Sequence, residues 1–448
     1  MTFTEFKNAV IAKAEAMGLT EYELYYQCAE STSVGAFQHE INEFSASSEG
    51  GVCFRCIVGG KMGYASTEAL NPQEAASIVE RAMDNASVLE ADEPVFLNEG
   101  GKTYQQIDLE RYALPTTEEL IGTVLATQQK LYDADPAVVD GCMTEGISEH
   151  FQIAICNSKG LDLSYEHSLS GLVVGAVVEK DGEKVDDYEI KLGKLDTIDT
   201  TALTKKGVAS ALRKLGGEVA PTGNYPVVFS PDAMHGLLSV FNSVFSSEAA
   251  QKGLSRLANA EGTVIASEVV TLVDDPFYPG SPMPMPFDAE GSPTYRKNVI
   301  EKGELKTLLY NMKTANMAGK TTTGNAAKGG YASSVGLRPF TMYLAAGELT
   351  EAELLAKAGN GVYINSLQGL HAGASSVTGD FSLQSAGFMI EDGKLTTPVK
   401  SFTVAGNFYD LLKGITALAD NVELPMATGM TAFGSPSVLV EGLSIAGK

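Results

Sequence analysis

The chain opens with apolar residues at helical spacing: Phe6, Val10, Ala14 and Met17 share one face between Thr4 and Met17, and Gly18 ends the pattern. The period then changes. Tyr22–Ala29, Ser33–Phe37, Asn42–Ser47, Gly51–Val58 and Met62–Ser66 read as strands parted by small or Gly-rich turns, as in an antiparallel meander. Asn71-Pro72 then starts a helix to about Leu89, with Ile78, Val79, Ala82, Met83 and Ala86 inward. After an acidic, weakly periodic connection at Ala91–Pro115, a helix begins at Thr116 and places Leu120, Val124, Leu125 and Leu131 together. A second meander follows, with strands at Val138–Ile147, Phe151–Asn157, Leu161–Leu169, Leu172–Lys180 and Lys184–Lys191. Turns at Asn157-Ser-Lys-Gly160 and Asp181-Gly182 join the middle pairs, and a helix over Thr200–Leu215 closes the block.

Ala220-Pro-Thr-Gly223 reads as a boundary. Beyond it Tyr225–Phe229 is a buried strand, and Ser230, Pro231 and Asp232 start a helix whose apolar Met234, Leu237, Leu238, Phe241, Val244 and Phe245 predict one continuous element to Gly253. The remainder is strands interrupted by long Gly- and Pro-rich loops. Val299–Thr307 and Met389–Thr397 echo one another as hairpins turning at Lys-Gly and Asp-Gly. The pattern predicts an α+β fold in three parts: residues 1–90 and 91–220, each helix plus antiparallel sheet, and a larger β-rich region at 221–448.

Charge narrows the function. With 56 acidic against 32 basic side chains the formal charge is −24, and no basic patch opposes it, so direct nucleic-acid binding and anionic membrane surfaces are not expected. The start of the chain carries acids among its apolar residues, unlike a signal peptide, and no run reaches the length of a membrane span, so a cytoplasmic location is expected. Five cysteines leave one odd, which argues against a disulfide framework. Cys53 and Cys56 have redox or zinc-knuckle spacing but sit in a strand, where residues three apart point to opposite faces.

Candidate chemistry is sparse. A zinc peptidase helix needs two imidazoles one turn apart, and the helix after Tyr225–Phe229 carries only His235. His39, His150, His167 and His371 are scattered as well. His371 lies among small residues that would let a substrate backbone approach, which competes with an ordinary loop role. The loop Asp274–Pro293 brings Asp274, Asp275, Asp288 and Glu290 together; metal binding is one reading, and an ordered, solvated loop is the favoured one. Thr321–Pro339 is Gly-rich but lacks the ending of a phosphate-binding loop, and neither a serine-hydrolase elbow nor a dinucleotide fingerprint occurs.

Seven segments together resemble the TldD/PmbA family, the modulators of DNA gyrase associated with metallopeptidase activity. They are GGVCFRCIVGGKMGYAST (Gly50–Thr67), SSEAAQKG (Ser246–Gly253), VTLVDDP (Val270–Pro276), PFDAEGSPT (Pro286–Thr294), TTGNAAKGG (Thr322–Gly330), VTGDFSLQSAGFMIEDGKLTTPV (Val377–Val399) and FTVAGNFYDLL (Phe402–Leu412). The family's TldD branch carries HExxxH after the central strand and a Cys near the C-terminus as its metal site. Here Ser239, Val240 and Val244 stand at the His, Glu and His positions, and no Cys follows Cys156. The chain therefore resembles the PmbA/TldE branch, which implies no metal and no catalytic residue of its own. A zinc-bearing TldD-like partner in a heterodimer, or a homodimer, and unfolded or modified peptides as substrate are implied with it. Two alternatives stand beside this: a self-sufficient peptidase with an unrecognised site, and a non-enzymatic modulator binding a gyrase-related protein. Asn325 and Asp380, each beside a glycine in TGN and TGD, join His371 as candidate substrate-binding residues, with local turn capping as the competing role.

Overall fold

The computed structural model describes residues 1–90, 94–107, 114–281, 283–425, 427–428 and 431–448. Parts of the predicted connection Ala91–Pro115, residues 91–93 and 108–113, lie outside them. The N-terminal region runs α1 (Phe3–Ala16), β1 (Tyr22–Phe37), β2 (Glu40–Val58), β3 (Lys61–Thr67), α2 (Pro72–Val88), α3 (Thr117–Tyr132), β4 (Met143–Asn157), β5 (Asp162–Lys180), β6 (Glu183–Leu192) and α4 (Thr200–Leu212). Local signals set the helix starts. Thr2 and Thr116 form capping boxes with Glu5 and Glu119, Asn71 caps a helix with Pro at its first position, and Asp199 caps α4.

The strands are longer than their sequence suggests. Four predicted short strands between Tyr22 and Val58 are two long ones, and the same fusion makes β4 and β5. The small polar runs that read as turns, Glu30–Thr32 and Ser48–Gly50, instead lie within the strands and pair across β1 and β2, Glu30 opposite Ser48. Serine-rich strand exposed to water carries no alternation to reveal it. Because β1 pairs β2 on one side and β4 on the other, both meanders join one antiparallel sheet of order β3-β2-β1-β4-β5-β6.

One face of that sheet is covered by the four helices in two clusters, around Phe6, Leu24, Phe54 and Ile78 and around Val34, Leu120, Leu172 and Ala211. The other face presents Tyr25, Cys53, Phe151, Ile153 and Tyr165, which pack against Met285, Phe287 and Phe340 of the C-terminal region. Cys53 and Cys56 are therefore on opposite faces, Cys56 packing with the helices.

The C-terminal region begins with β7 (Glu218–Val219), β8 (Gly223–Phe229), α5 (Pro231–Phe241), α6 (Ser247–Gln251), β9 (Leu272–Asp274), β10 (Lys297–Glu301), β11 (Glu304–Leu305), α7 (Met312–Met317), β12 (Ala326–Ala327) and β13 (Gly336–Leu337). It continues with β14 (Thr341–Leu344), α8 (Glu351–Ala358), β15 (Gly361–Gln368), α9 (Leu370–Gly373), β16 (Asp380–Glu391), β17 (Lys394–Asn407), α10 (Phe408–Gly414), β18 (Ile415–Leu418), β19 (Ala427–Thr428), β20 (Thr431–Gly434) and β21 (Val438–Ala446). The molecule is α+β with its C-terminal part rich in strands. Since β21 pairs with both β8 and β17, the strands β21-β8-β15-β16-β17 close on themselves. A second sheet, β11-β10-β9-β14-β20-β19, flanks them, and α5 packs between within the largest core cluster. The two echoing hairpins share one turn geometry, with Lys302-Gly303 and Asp392-Gly393 all at positive φ. No helix among the described residues is long and apolar enough to cross a membrane.

On the face toward the C-terminal region a buried ion pair links neighbouring strands. Arg55 Nε lies 2.7 Å from Glu23 Oε1, and the two residues are 6% and 1% exposed. Removing one partner strands the other charge in the interior, so Arg55→Ala is expected to destabilise the fold by about 3–5 kcal/mol, read as a fall in the denaturant midpoint.

Candidate functional site

The site is built around α5. Ser230 Oγ accepts the Ala233 N–H at 3.2 Å and Pro231 occupies the first turn, as the sequence predicts. The predicted continuous helix to Gly253 is not formed. After Phe241 the chain tightens into a 3₁₀ turn at Asn242–Phe245 and restarts as α6, capped by Ser246. Asn242 Nδ2 donates to the Ser239 carbonyl at 2.7 Å and Ser246 Oγ accepts the Ala249 N–H at 3.3 Å, so short polar side chains compete with the helix for its backbone. The periodic apolar residues hid this break because Val244 and Phe245 remain buried through it.

The positions that matter for a metal lie at this break. Ser239 Oγ donates back to the Gly236 carbonyl at 2.8 Å, Val240 packs against the core, and Val244 is buried. Two of the three carry no donor atom and the third is turned onto its own helix, so these residues do not fit a zinc ion. His235 is one turn earlier; its Nδ1 lies 3.1 Å from the Phe433 carbonyl and its ring stands edge-on to Phe433. Burial pushes its pKa down, against the pull of that carbonyl. Among the described residues no three His, Cys, Asp or Glu side chains gather as metal ligands would. Beside the break lies a cavity of about 210 Å³, lined in part by Asn242, Ser243, Ser246, Glu248 and Leu309.

His371 and Asp380 share one loop. His371 is exposed on α9, which leans on α5 closely enough that a Cβ on Gly236 would meet Leu370 at 3.2 Å. Asp380 is exposed at the start of β16, and Asn407 Nδ2 bonds both its carboxylate at 2.8 Å and the Thr378 carbonyl at 2.9 Å. The Asn407 and Thr378 side chains hold the Asp380 carboxyl below its usual range. The segments around Val377–Asp380 and Phe402–Asn407 thus meet, although the chain separates them.

Asn325 lies elsewhere and is 0% exposed. Its Nδ2 bonds Asp274 Oδ2 at 2.7 Å and the Arg338 carbonyl at 3.0 Å, and its Oδ1 accepts from Thr323 at 2.8 Å. Asp274 also takes the Lys297 ammonium at 3.2 Å and the Phe340 N–H at 2.8 Å, completing a closed network. The loop Asp274–Pro293 departs from the expected solvated state: Asp274, Asp275, Asp288 and Glu290 are all buried. They sink because the loop is pressed between the C-terminal sheets and the N-terminal face, and backbone donors replace water. Asp288 accepts from Glu290 N and Ser292 N at 2.9 Å and from Ala326 N at 3.0 Å, while Glu290 accepts from Met312 N at 2.8 Å. Burial, and then the Glu290 charge, push Asp288 up to about 7. Glu290 is raised by burial too, with Arg55 pulling the other way. Nearby, Lys328 is buried with its ammonium 5.1 Å from the Tyr25 ring, and burial lowers its pKa while Cys53 opposes that. The contacts of Asp274 with Asn325, Lys297 and Phe340, and of Asp288 with Ala326, join residues far apart in the chain and were not legible beforehand.

Comparison with known proteins fits this architecture. Family models described as the PmbA/TldA metallopeptidase domain 1, central domain and C-terminal domain match residues 22–86, 111–215 and 222–447. The chain belongs to the PmbA/TldD metallopeptidase family. A metalloprotease PmbA homolog of Haemophilus influenzae is 26% identical over 425 residues, covering 93% of this chain and 90% of that one. The crystal structure of a candidate modulator of a DNA gyrase from Thermotoga maritima superposes with a TM-score of 0.90 at 29% identity, covering 99% of this chain and 100% of its own. TldE from Thermococcus kodakarensis shares the fold, with a TM-score of 0.87 at 23% identity and coverage of 98% and 99%.

Two measurements follow. The raised carboxyl of Asp288 favours the protonated folded state, a contribution complete below the ordinary carboxylate pKa and lost as pH rises through about 7. The wild type is therefore expected to melt at higher temperature at pH 6 than at pH 8, and Asp288→Asn to flatten that difference. Alanine at Asn325 is expected to lower stability by about 1–3 kcal/mol by stripping partners from Asp274, whereas Asp380→Ala, at an exposed position, is expected to leave the melting temperature unchanged.

Proposed function

We propose that this chain is a PmbA/TldE-type subunit that pairs with a zinc-bearing TldD-type subunit to cleave unfolded or modified peptides, and that it holds no catalytic metal itself. The observation that carries this reading is the chemistry of Ser239, Val240 and Val244: a hydroxyl spent on its own helix and two aliphatic side chains, where a peptidase of this family would need imidazole and carboxylate. Nothing in that arrangement activates a water, so hydrolysis requires a second chain.

In this reading the chain's contribution is to hold substrate. The loop from His371 to Asp380 is exposed, rests on α5, and is braced by Asn407 rather than by a core of its own. Its small residues leave backbone groups accessible, and an extended peptide gains most from such groups. Asn325 acts at one remove, as a positioning residue: through Arg338 it ties the β12–β13 segment to Asp274.

Co-purification with a TldD-type relative, followed by a peptidase assay, tests the proposal. The chain alone is expected to carry no stoichiometric zinc and to show no turnover above buffer, while the pair cleaves unfolded peptide. Asp380→Ala in the assembled pair is expected to reduce turnover without dissociating it. One zinc per chain, lost on His235→Ala, or turnover by the chain alone, would establish a self-sufficient peptidase instead. Capture of a gyrase-related protein with no turnover in any pairing would establish a modulator.

A further inference from the structure

A second cavity, of about 550 Å³, lies away from α5 where the N-terminal sheet meets a loop of the C-terminal region. That volume is in the range of sites for small ligands or single side chains. Its lining includes Tyr26 and Cys28 from β1, Glu49 and Gly50 from β2, Glu68 just after β3, and Tyr331 from the segment between β12 and β13. The Tyr331 hydroxyl donates to Glu68 at 2.9 Å, so the C-terminal loop is tied across the rim. Glycines make the wall. A Cβ on Gly50 would come within 2.6 Å of the Gln27 carbonyl, and one on Gly51 within 2.7 Å of the Tyr331 ring. No side chain fits at either place, because Cys28 closes over Gly50 and the Tyr331 ring over Gly51.

The lining selects one kind of ligand. It offers two carboxylates and two phenols, and among the described residues neither Glu49 nor Glu68 has a lysine or arginine within ion-pair distance. Burial, with the Cys28 thiol and Glu30 adding to it, pushes Tyr26 up to about 12, so its hydroxyl stays neutral. Carboxylates beside phenols favour a cation that carries apolar surface, which describes the end of an arginine or lysine side chain.

We propose that this cavity is a binding site for the guanidinium or ammonium group of a basic residue in a peptide. The peptide nature of the ligand rests on the reading given above; the charge selectivity rests on the cavity alone. The site lies apart from α5, so it sets which peptides are retained and takes no part in bond cleavage.

Cys28 supplies the probe. It lines the cavity, and Cys53, Cys56, Cys142 and Cys156 are all buried. Native protein is treated with a trimethylammonium-bearing methanethiosulfonate and, separately, with its sulfonate-bearing counterpart. The cationic reagent is expected to modify Cys28 about tenfold faster. Glu49→Gln and the double variant with Glu68→Gln should lower that ratio in steps toward one, the single variant leaving the Tyr331 tie intact. An unstructured hexapeptide containing arginine is expected to protect Cys28, and the same peptide with citrulline is not. Equal rates on the wild type, a ratio unchanged in both variants, or equal protection by the citrulline peptide overturns the proposal. These measurements need no turnover, so failure of the assembled pair to cleave peptide would reject the subunit reading and leave this site standing.

Discussion

Docking of the C-terminal region onto the bare face of the N-terminal sheet depends on taking two carboxylates out of water. Asp288 and Glu290 are both buried, and an ionised carboxylate without partners in such a place would cost several kcal/mol. The loop that carries them supplies the remedy from its own backbone. Three N–H groups converge on Asp288, the first N–H of α7 meets Glu290, and Arg55 faces them from β2. The hydrogen bonds that fix the loop's shape are the same ones that allow it to be buried, so packing of the two regions and folding of the loop are one event. Tyr104, whose hydroxyl bonds the Gly291 carbonyl, and Asn98, whose amide bonds the Glu290 carbonyl, hold it from the N-terminal side.

This seam divides the molecule's tasks. The family-like segments around Pro286–Thr294 and Thr322–Gly330 form joints: Asn325 and Lys297 both bond the Asp274 carboxylate in the interior. The segments Val377–Asp380 and Phe402–Asn407 differ, because they meet at the surface beside α5. A motif therefore has to be sorted by burial before it is given a chemical role, and here burial separates Asn325 from His371 and Asp380.

What could be read from the chain follows the range of the forces involved. Helix starts at Asn71, Thr116 and Ser230 were legible because a cap acts within one turn, and so were the Asp-Gly and Lys-Gly hairpins. Strand lengths were not. Glu30 and Ser48 look like turn residues until each is seen opposite the other. The break in the helix after Phe241 was hidden by apolar residues that stay buried on both sides of it, and the burial of Asp274 by partners distant in sequence. At the candidate site, the identities of Ser239, Val240 and Val244 could be read residue by residue. The cavity around Cys28 could not, since it is assembled from three strands' worth of chain and one distant tyrosine.

The placement of β1 has a consequence for how the protein is made. Its first partner, β2, follows at once and pairs along its whole length, but its other edge waits for β4, which is separated from it by two helices and the acidic connection. During synthesis the nascent chain therefore passes through a stage in which β1 to β3 form an open sheet with one long unpaired edge. An edge of this length is a template for wrong pairing. The polar run Ser31–Ser33 of β1 makes that waiting edge a poor match for such pairing until β4 arrives.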